Sequence, residues 1–437
     1  MLKITIIGTG YVGLVSGAGI SDFGHIVTCV DISSEKIELL NCGKIPIYEP
    51  GLGDLIEKNV GAGRLTFSTD IIESIKSAEI IFIAVGTPQS SDGSADLSSV
   101  QNVAKIIGKN INSDKVICTK STVPVGTGNW IVEQIGRYNE NNFKIDYVSN
   151  PEFLREGSAV KDFLWPDRVV IGSDNNHAFD IMKDVYSPLY INKKPIIHTS
   201  VVTAEMIKYA SNSFLALKIS YINEVANLCD ELGADVHKVA KAMGRDGRIS
   251  PKFLHPGPGF GGSCFPKDIK AFAKLASQNK LTFKTIEAAI KANESQKKRM
   301  VDKLRDLIGG NFKGKSVAIL GLAFKPNTDD VRESPAIYLI DIINEEGGNI
   351  KAYDPISNDN MKLIYPDLEY CSNWQEACKN ADAVALITEW NEFRSINLKV
   401  LSSLLKVPAV LDARNIFDIS KLKENNLTYR NFGRQGF

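Results

Sequence analysis

The chain has 437 residues, 43% hydrophobic and 23% charged, and its 51 basic and 51 acidic residues cancel to zero net charge. These values fit two or three globular domains, and they exclude a disordered chain and the overall basic charge on which non-specific nucleic-acid binders rely. No apolar run approaches the roughly 18 residues of a membrane span. The opening apolar run of about five residues is too short for a signal-peptide core. Seven cysteines without a C-x-x-C spacing make neither a disulfide framework nor a usual zinc site, so reduced thiols in a cytoplasmic protein without a metal centre are expected.

The β-branched run Lys3-Ile4-Thr5-Ile6-Ile7 predicts a strand, and Gly8-Thr9-Gly10-Tyr11-Val12-Gly13 predicts a glycine turn into a helix. Gly8 permits the tight turn, Gly10 lets backbone approach a pyrophosphate, and Gly13 lets helix and strand pack closely. A second strand over 26–30 ends at Asp31, eighteen residues after Gly13. There a carboxylate accepts both ribose hydroxyls and repels a 2′-phosphate, which favours NAD over NADP. Lys36 reads equally as a ribose-edge contact and as a solvated helix lysine. Further strands over 80–85 and 115–119 complete the rhythm of an alternating β/α domain over 1–200.

From about 203 to 232 one long helix is expected, ended by Gly233, and helical pattern continues past 291 in an all-helical section over 201–300. Lys208 and Asn212, four apart, share one face of the long helix, where Lys208 can act as base or oxyanion partner or can be a solvated lysine. The strand–turn–helix rhythm returns near 315, with a strand over 316–320, a helix from about 335 and a strand ending at Asp354. The fold class is therefore α/β, with two Rossmann-like doubly wound domains joined by a long central helix and a helical middle domain. The second glycine turn is not G-x-G-x-x-G, so the domain over 301–437 is expected to bind something other than a dinucleotide.

The most unusual stretch is Pro256-Gly257-Pro258-Gly259-Phe260-Gly261-Gly262-Ser263-Cys264-Phe265-Pro266-Lys267-Asp268. Pro266, followed by an apolar periodic run, places Cys264 at or just before a helix N-terminus, where the dipole and Lys267 favour thiolate. A packed thiol in a turn is the plainer reading. A thiolate beside a hydride acceptor suggests aldehyde oxidation through a thiohemiacetal and a thioester. That chemistry also needs a carboxylate to activate water, and Asp268, Glu152 and Glu156 are candidates.

At this point the chain resembles the nucleotide-sugar 6-dehydrogenases over nearly its whole length. The resemblance rests on residues 8–13, Gly86-Thr87-Pro88, Ser121-Thr122-Val123-Pro124-Val125-Gly126, residues 150–157, Lys208 with Asn212, the Cys264 loop, Phe324-Lys325-Pro326 and Arg332-Glu333-Ser334. It implies a cysteine nucleophile at Cys264, acid–base and oxyanion roles for Lys208 and Asn212, water placement by Thr122 and Asp268, and thioester hydrolysis by Glu152. NAD contacts follow for Gly8, Gly10, Tyr11, Val12, Gly13, Asp31, Lys36, Thr87, Thr122, Glu156, Lys267 and Arg332. The UDP-sugar contacts implied are Glu152, Phe153, Leu154, Lys208, Asn212, Phe253, Leu254, His255, Pro256, Gly257, Gly261 and Lys325, with Arg248 reaching across a homodimer interface. The Gly261-Gly262-Ser263-Cys264 pattern is similar to members acting on UDP-glucose, whereas relatives for N-acetylated sugars often carry G-G-H-C. UDP-N-acetylhexosamines and GDP-mannose are the alternative substrates.

Two other readings compete. A single-step β-hydroxyacid dehydrogenase accounts for Lys208 and Asn212 but leaves the cysteine loop and the last domain without a use. An NAD-responsive regulator with Cys264 as redox sensor has no DNA-binding module to act through.

Overall fold

The computed structural model describes residues 1–436 and consists of two units, Met1–Ser211 and Asn212–Phe437. In the first, β-branched runs become β1 (Lys3–Ile7), β2 (Ile26–Val30), β3 (Leu65–Ser68), β4 (Ile80–Ile83), β5 (Lys115–Thr119), β6 (Ile145–Ser149), β7 (Val169–Gly172) and β8 (Ile196–Thr199). They lie in the order β3-β2-β1-β4-β5-β6-β7-β8. All neighbours are parallel except β6 and β7, which meet antiparallel at Ser149 and Gly172. Every residue of β4 and β5 is buried, as expected of parallel strands covered on both faces. The order reverses between β1 and β4, and in open α/β sheets ligands bind outside the carboxyl ends at such a point.

The strand expected over 80–85 stops at Ile83. The chain then turns toward Pro88, and the Ser121 hydroxyl takes up the Val85 carbonyl at 2.6 Å in place of a ladder partner.

The long helix spans Val201–Leu232 and is closed by Gly233 at φ 71°. Within the second unit it is followed by helices Val236–Gly244, Phe265–Gln278 and Lys284–Ile308. Six strands come next: β9 (Ser316–Leu320), β10 (Asn349–Tyr353), β11 (Glu369–Tyr370), β12 (Ala383–Leu386), β13 (Ala409–Asp412) and β14 (Thr428–Arg430). Their order, β11-β10-β9-β12-β13-β14, is all parallel and repeats the arrangement of β3-β2-β1-β4-β5-β6. Part of the helical section packs on this sheet, with Ile222, Ala226, Met300 and Leu304 in one buried cluster with Val317, Ile319 and Leu411, while Ala216, Phe260, Ile269 and Ile286 form a smaller buried cluster among the helices themselves.

The echo of Asp31 at Asp354 is topological and not functional. Asp354 Oδ2 accepts from the backbone of Leu322 and Ala323 and from Trp390 Nε1, while Oδ1 accepts from the backbone of Ile356 and Ser357. A buried carboxylate with five donors inside its own fold is a staple for the strand ends. Among the described residues, no helix is long and apolar enough to cross a membrane.

Candidate active site

In the first unit the glycine turn has the geometry its sequence demands. Gly8 has φ 108°, and a Cβ there would lie 2.6 Å from Ala84 O; a Cβ on Gly13 would lie 1.8 Å from Gly8 O. Gly10 faces open space and caps the helix Tyr11–Asp22 without a side-chain hydrogen bond, so the first N–H groups of that helix are left for an anion. Asp31 stands opposite, its Oδ2 accepting from Thr9 N and Thr9 Oγ1 at 2.8 Å each and its Oδ1 from Ser33 N at 3.0 Å. Burial works against its charge, but these hydrogen bonds and the nearby Lys36 outweigh burial and hold the carboxyl below its ordinary range. Lys36 thus acts on Asp31 while itself exposed.

The loops that meet this turn are tied to it. Glu49 is buried and receives Tyr11 OH, Gly157 N and Ala159 N, the last two at 2.6 and 2.7 Å. It joins the start of the cofactor helix to the segment carrying Glu156, whose charge also acts on Tyr11. Thr87 Oγ1 donates to Thr122 O at 2.8 Å, linking the loops after β4 and β5.

Lys208, which spacing alone leaves as a solvated lysine, is only 3% exposed. Its Nζ donates to both Glu152 Oε1 and Glu152 O at 2.8 Å. Glu152 Oε2 accepts from Leu154 N at 2.5 Å. Burial opposes the Glu152 charge, yet Lys208, the Leu154 N–H and Lys120 together keep its carboxyl below the ordinary range. Phe153 lies under two cations, with the Arg168 guanidinium 3.5 Å and Lys208 Nζ 5.5 Å from its ring centre. One turn before Lys208, Glu205 accepts from Gly126 N at 2.6 Å and Gly128 N at 2.8 Å, so the helix with the lysine anchors the loop with Thr122. Burial raises Glu205 to about 7 despite these two donors.

In the second unit, Cys264 is the N-cap of Phe265–Gln278, with Pro266 in the first turn and no side-chain cap. Sγ is partly exposed and lies 3.5 Å from Ser263 Oγ. The positive end of the helix favours an anion at this sulfur. The other thiols are placed differently: Cys29, Cys118, Cys229, Cys371 and Cys378 are buried and Cys42 is exposed. Burial pushes Cys29 and Cys378 up to about 12.

Close packing explains the glycines of the loop. A Cβ on Gly261 would lie 2.1 Å from Glu333 O, and one on Gly262 2.7 Å from the Phe324 ring; Gly262 N donates to Arg332 O at 2.9 Å. Three amides grip the rest: Asn223 Oδ1 accepts Gly257 N at 2.8 Å, Gln296 Nε2 donates to Gly257 O at 2.8 Å, and Asn293 exchanges two hydrogen bonds with the Phe260 backbone. The glycine loop is therefore held against the segments containing Lys325 and Arg332. Arg332 itself is exposed and forks onto Asp330, and Lys325 Nζ lies 5.2 Å from the Phe324 ring centre.

Asp268 is fully buried, and both of its oxygens are engaged at 2.7 Å, Oδ1 by Lys267 Nζ and Oδ2 by Asn212 Nδ2. It fixes the Asn212 amide and takes up the Lys267 charge, which the sequence assigns to the sulfur. Of the loop over 253–257, Phe253 has φ 64°, Leu254 is buried in the core, His255 is exposed and Pro256 is buried. Arg248 is exposed and forks onto Asp246.

The chain has counterparts among known proteins. Residues 2–190 match the NAD binding domain of the UDP-glucose/GDP-mannose dehydrogenase family, 202–295 its central domain and 318–419 its UDP binding domain. The chain belongs to that family. It is 46% identical to the UDP-glucose 6-dehydrogenase of Rhizobium meliloti (strain 1021), over 99% of this chain and 100% of that one. A UDP-glucose dehydrogenase structure from Pyrobaculum islandicum superposes with TM-score 0.93 at 35% identity, covering 100% of this chain and 98% of the other. A UDP-D-ManNAc dehydrogenase structure from Pyrococcus horikoshii superposes with TM-score 0.87 at 26% identity, covering 99% of each chain.

As a member of the UDP-glucose/GDP-mannose dehydrogenases, this chain is an NAD-dependent oxidoreductase, and its residues fit the cofactor. Gly10 leaves the space before the helix open, and Asp31 presents an ionised carboxyl that disfavours a 2′-phosphate. The last domain is the UDP-binding one, which agrees with the internal use of Asp354. Sequence reasoning missed the family member's buried supports: Glu49, Glu205, Asn223, Asn293 and Gln296. It also missed Arg414, whose Nη1 would lie 3.3 Å from a Cβ on Gly257. Only the position of Arg414, just after β13, hinted at a role, since strand ends carry ligands in such sheets.

Proposed function

We propose that this chain oxidises the C6 alcohol of UDP-glucose to the carboxylate of UDP-glucuronate in two successive two-electron steps, with Cys264 as covalent nucleophile. The observation that carries the reading is Cys264 at a helix N-terminus in a glycine loop clamped on both sides, in a chain 46% identical to a UDP-glucose 6-dehydrogenase. Bound NAD supplies the hydride acceptor for both oxidations.

Lys208 Nζ, in its neutral form, takes the hydroxyl proton as hydride leaves C6, giving the aldehyde. Cys264 Sγ adds to that carbon as thiolate, and the oxygen takes up a proton to form a thiohemiacetal. Asn212 and Lys208 hold the oxygen while its charge changes. A second loss of hydride from C6 and of the hydroxyl proton gives the thioester. Water guided by Thr122 and Asp268 then attacks, Glu152 accepts its proton, and Sγ leaves as thiolate. Asp268 keeps lone pairs for water even with Lys267 and Asn212 bound, because a carboxylate offers about four acceptor sites. Roles at the cofactor for Thr87, Glu156, Lys267 and Arg332, and at the UDP-sugar for Phe153, Leu154, residues 253–257, Gly261 and Lys325, belong to the same reading.

Glu152→Gln is expected to form the thioester and then stall, lowering steady-state turnover roughly 100-fold. Intact-mass measurement should find one UDP-glucuronyl group on the variant, lost on Cys264→Ser substitution. Wild-type turnover by Glu152→Gln would remove Glu152 from the hydrolytic step.

Two further parts of the reading concern assembly and location. Phe214, Tyr221 and Leu228, seven residues apart on the long helix, are 61%, 50% and 58% exposed. A large apolar stripe of this kind supports a homodimer through these helices, with Arg248 serving the neighbouring substrate. Leu228→Glu should halve the mass seen by sedimentation, and a variant that keeps the mass of the wild type would argue for another surface. Seven cysteines with no disulfide among the described residues support a reducing, cytoplasmic setting.

A further inference from the structure

The first unit buries a second lysine that takes no part in the proton transfers above. Lys120 directly follows β5 and precedes Ser121 and Thr122. Its Nζ donates to Asn150 Oδ1 at 2.9 Å and Tyr186 OH at 3.1 Å and lies 5.8 and 5.6 Å from the ring centres of Phe163 and Tyr186. Among the described residues, no carboxylate stands within ion-pair distance of it. A buried cation without a paired anion is unfavourable, so the site must gain from having it.

The surroundings identify what gains. Asn150 stands two residues before Glu152, and its backbone N–H donates to Thr119 O at 2.9 Å while Nδ2 donates to Val170 O at 2.7 Å. Lys120 therefore pins the chain between β6 and Glu152 to the end of β5. The ionisable groups acting on it are Cys118 from its own strand, Glu152 from the loop after β6 and Lys208 from the long helix; Tyr186 packs against it. Burial drives Cys118 and Tyr186 upward, so both stay neutral, and Glu152 is the one anion of the group. Burial lowers Lys120 to about 8, with Lys208 pushing the same way and Glu152 opposing.

Glu152 thus answers to two cations of different duty. Lys208 has to be neutral to take the hydroxyl proton, and whenever it is neutral the Glu152–Lys208 pair lacks its positive member. Lys120 keeps its place behind Asn150. We propose that Lys120 is a positioning residue for the hydrolytic step: fixed by Asn150 and Tyr186, its charge keeps Glu152 a carboxylate when Lys208 is neutral, and it favours that neutral form of Lys208. This rests on Glu152 being the hydrolytic base.

The test is rapid-mixing single turnover with UDP-glucose and NAD, recording NADH for the oxidations and quenched UDP-glucuronate for hydrolysis across the acid and neutral range. Hydrolysis falls as pH drops through the Glu152 titration. Removing the cation raises that titration, so in Lys120→Met the acid limb of hydrolysis should move up by about one pH unit, with the plateau rate within a few-fold of wild type. Lys120→Gln, which can still hydrogen-bond Asn150 and Tyr186, repeats the loss of charge if the methionine variant does not fold. Tyr186→Phe removes a hydrogen bond and leaves the charge, and its limb should stay in place. An unmoved limb in both Lys120 variants overturns the role, as does a Tyr186→Phe limb that moves as far as theirs. If Glu152→Gln hydrolyses at the wild-type rate, the assignment of the base has failed instead; if it is slow while the Lys120 variants keep the wild-type limb, only the role of Lys120 has.

Discussion

Cys264→Ser is expected to release no measurable UDP-glucuronate, with turnover to the acid reduced roughly 1,000-fold or more. The reasoning runs from the electronics of the second oxidation. An aldehyde carbon has no hydride to give until a nucleophile has added to it, and the thioester then has to expel its partner to water. A thiolate does both, whereas a serine hydroxyl at the same helix N-terminus remains protonated at neutral pH and leaves poorly as an alkoxide. The buried cysteines cannot substitute, since burial holds Cys29 and Cys378 up at about 12. Binding of NAD should be retained in this variant, because the glycine turn, Asp31 and Lys267 are unchanged. Full production of the acid by Cys264→Ser, measured by chromatography of the nucleotide sugars, would rule out covalent catalysis.

Gly261→Ala is expected to be the most damaging single-methyl change outside the reacting groups. The added Cβ would stand 2.1 Å from Glu333 O and 2.8 Å from the carbon of the same carbonyl. Backbone cannot rotate away as a long side chain would, and Glu333 is itself held at φ 52°. The loop must therefore move, and on its other side Asn293, Asn223 and Gln296 hold Phe260 and Gly257. Overpacking of this kind costs about 1–3 kcal/mol of stability, and a shift of about 1 Å at a reacting group costs about 100-fold in rate. The expected result is a folded enzyme with lower melting temperature, kcat reduced about 100-fold, and an altered rate of Cys264 alkylation. A variant with wild-type kcat would mean that the loop is not held as tightly as its hydrogen bonds indicate.

The sequence exposes the parts of this protein that follow from local rules. β1, Gly8, Gly10 and Gly13 could be read because a β-branched run, a glycine spacing and a helix start occur within thirteen residues. Pro266 betrayed the helix start at Cys264, and Gly233 the end of the long helix. What could not be read depends on which distant groups meet. Lys208 had two readings until Glu152 was found against it, and Asp268 looked like a free carboxylate until Lys267 and Asn212 were found on its two oxygens. Asp354 sits where a ribose ligand would in a dinucleotide domain, yet five of its own neighbours occupy it. Glu49, Glu205 and Lys120 lie in stretches whose periodicity says nothing about them, and only the fold shows that they are buried. The strand expected over 80–85 ended two residues early for a related reason: a side chain from the next loop satisfies Val85.

The most direct test of the central claim is the number of NADH molecules formed per UDP-glucose consumed by the purified protein, with UDP-N-acetylglucosamine and GDP-mannose run in parallel. Two covalently linked oxidations predict two NADH for each UDP-glucose, UDP-glucuronate as the product, and little turnover of the other two sugars. One NADH per UDP-glucose, with the reaction ending at the aldehyde, would contradict the account.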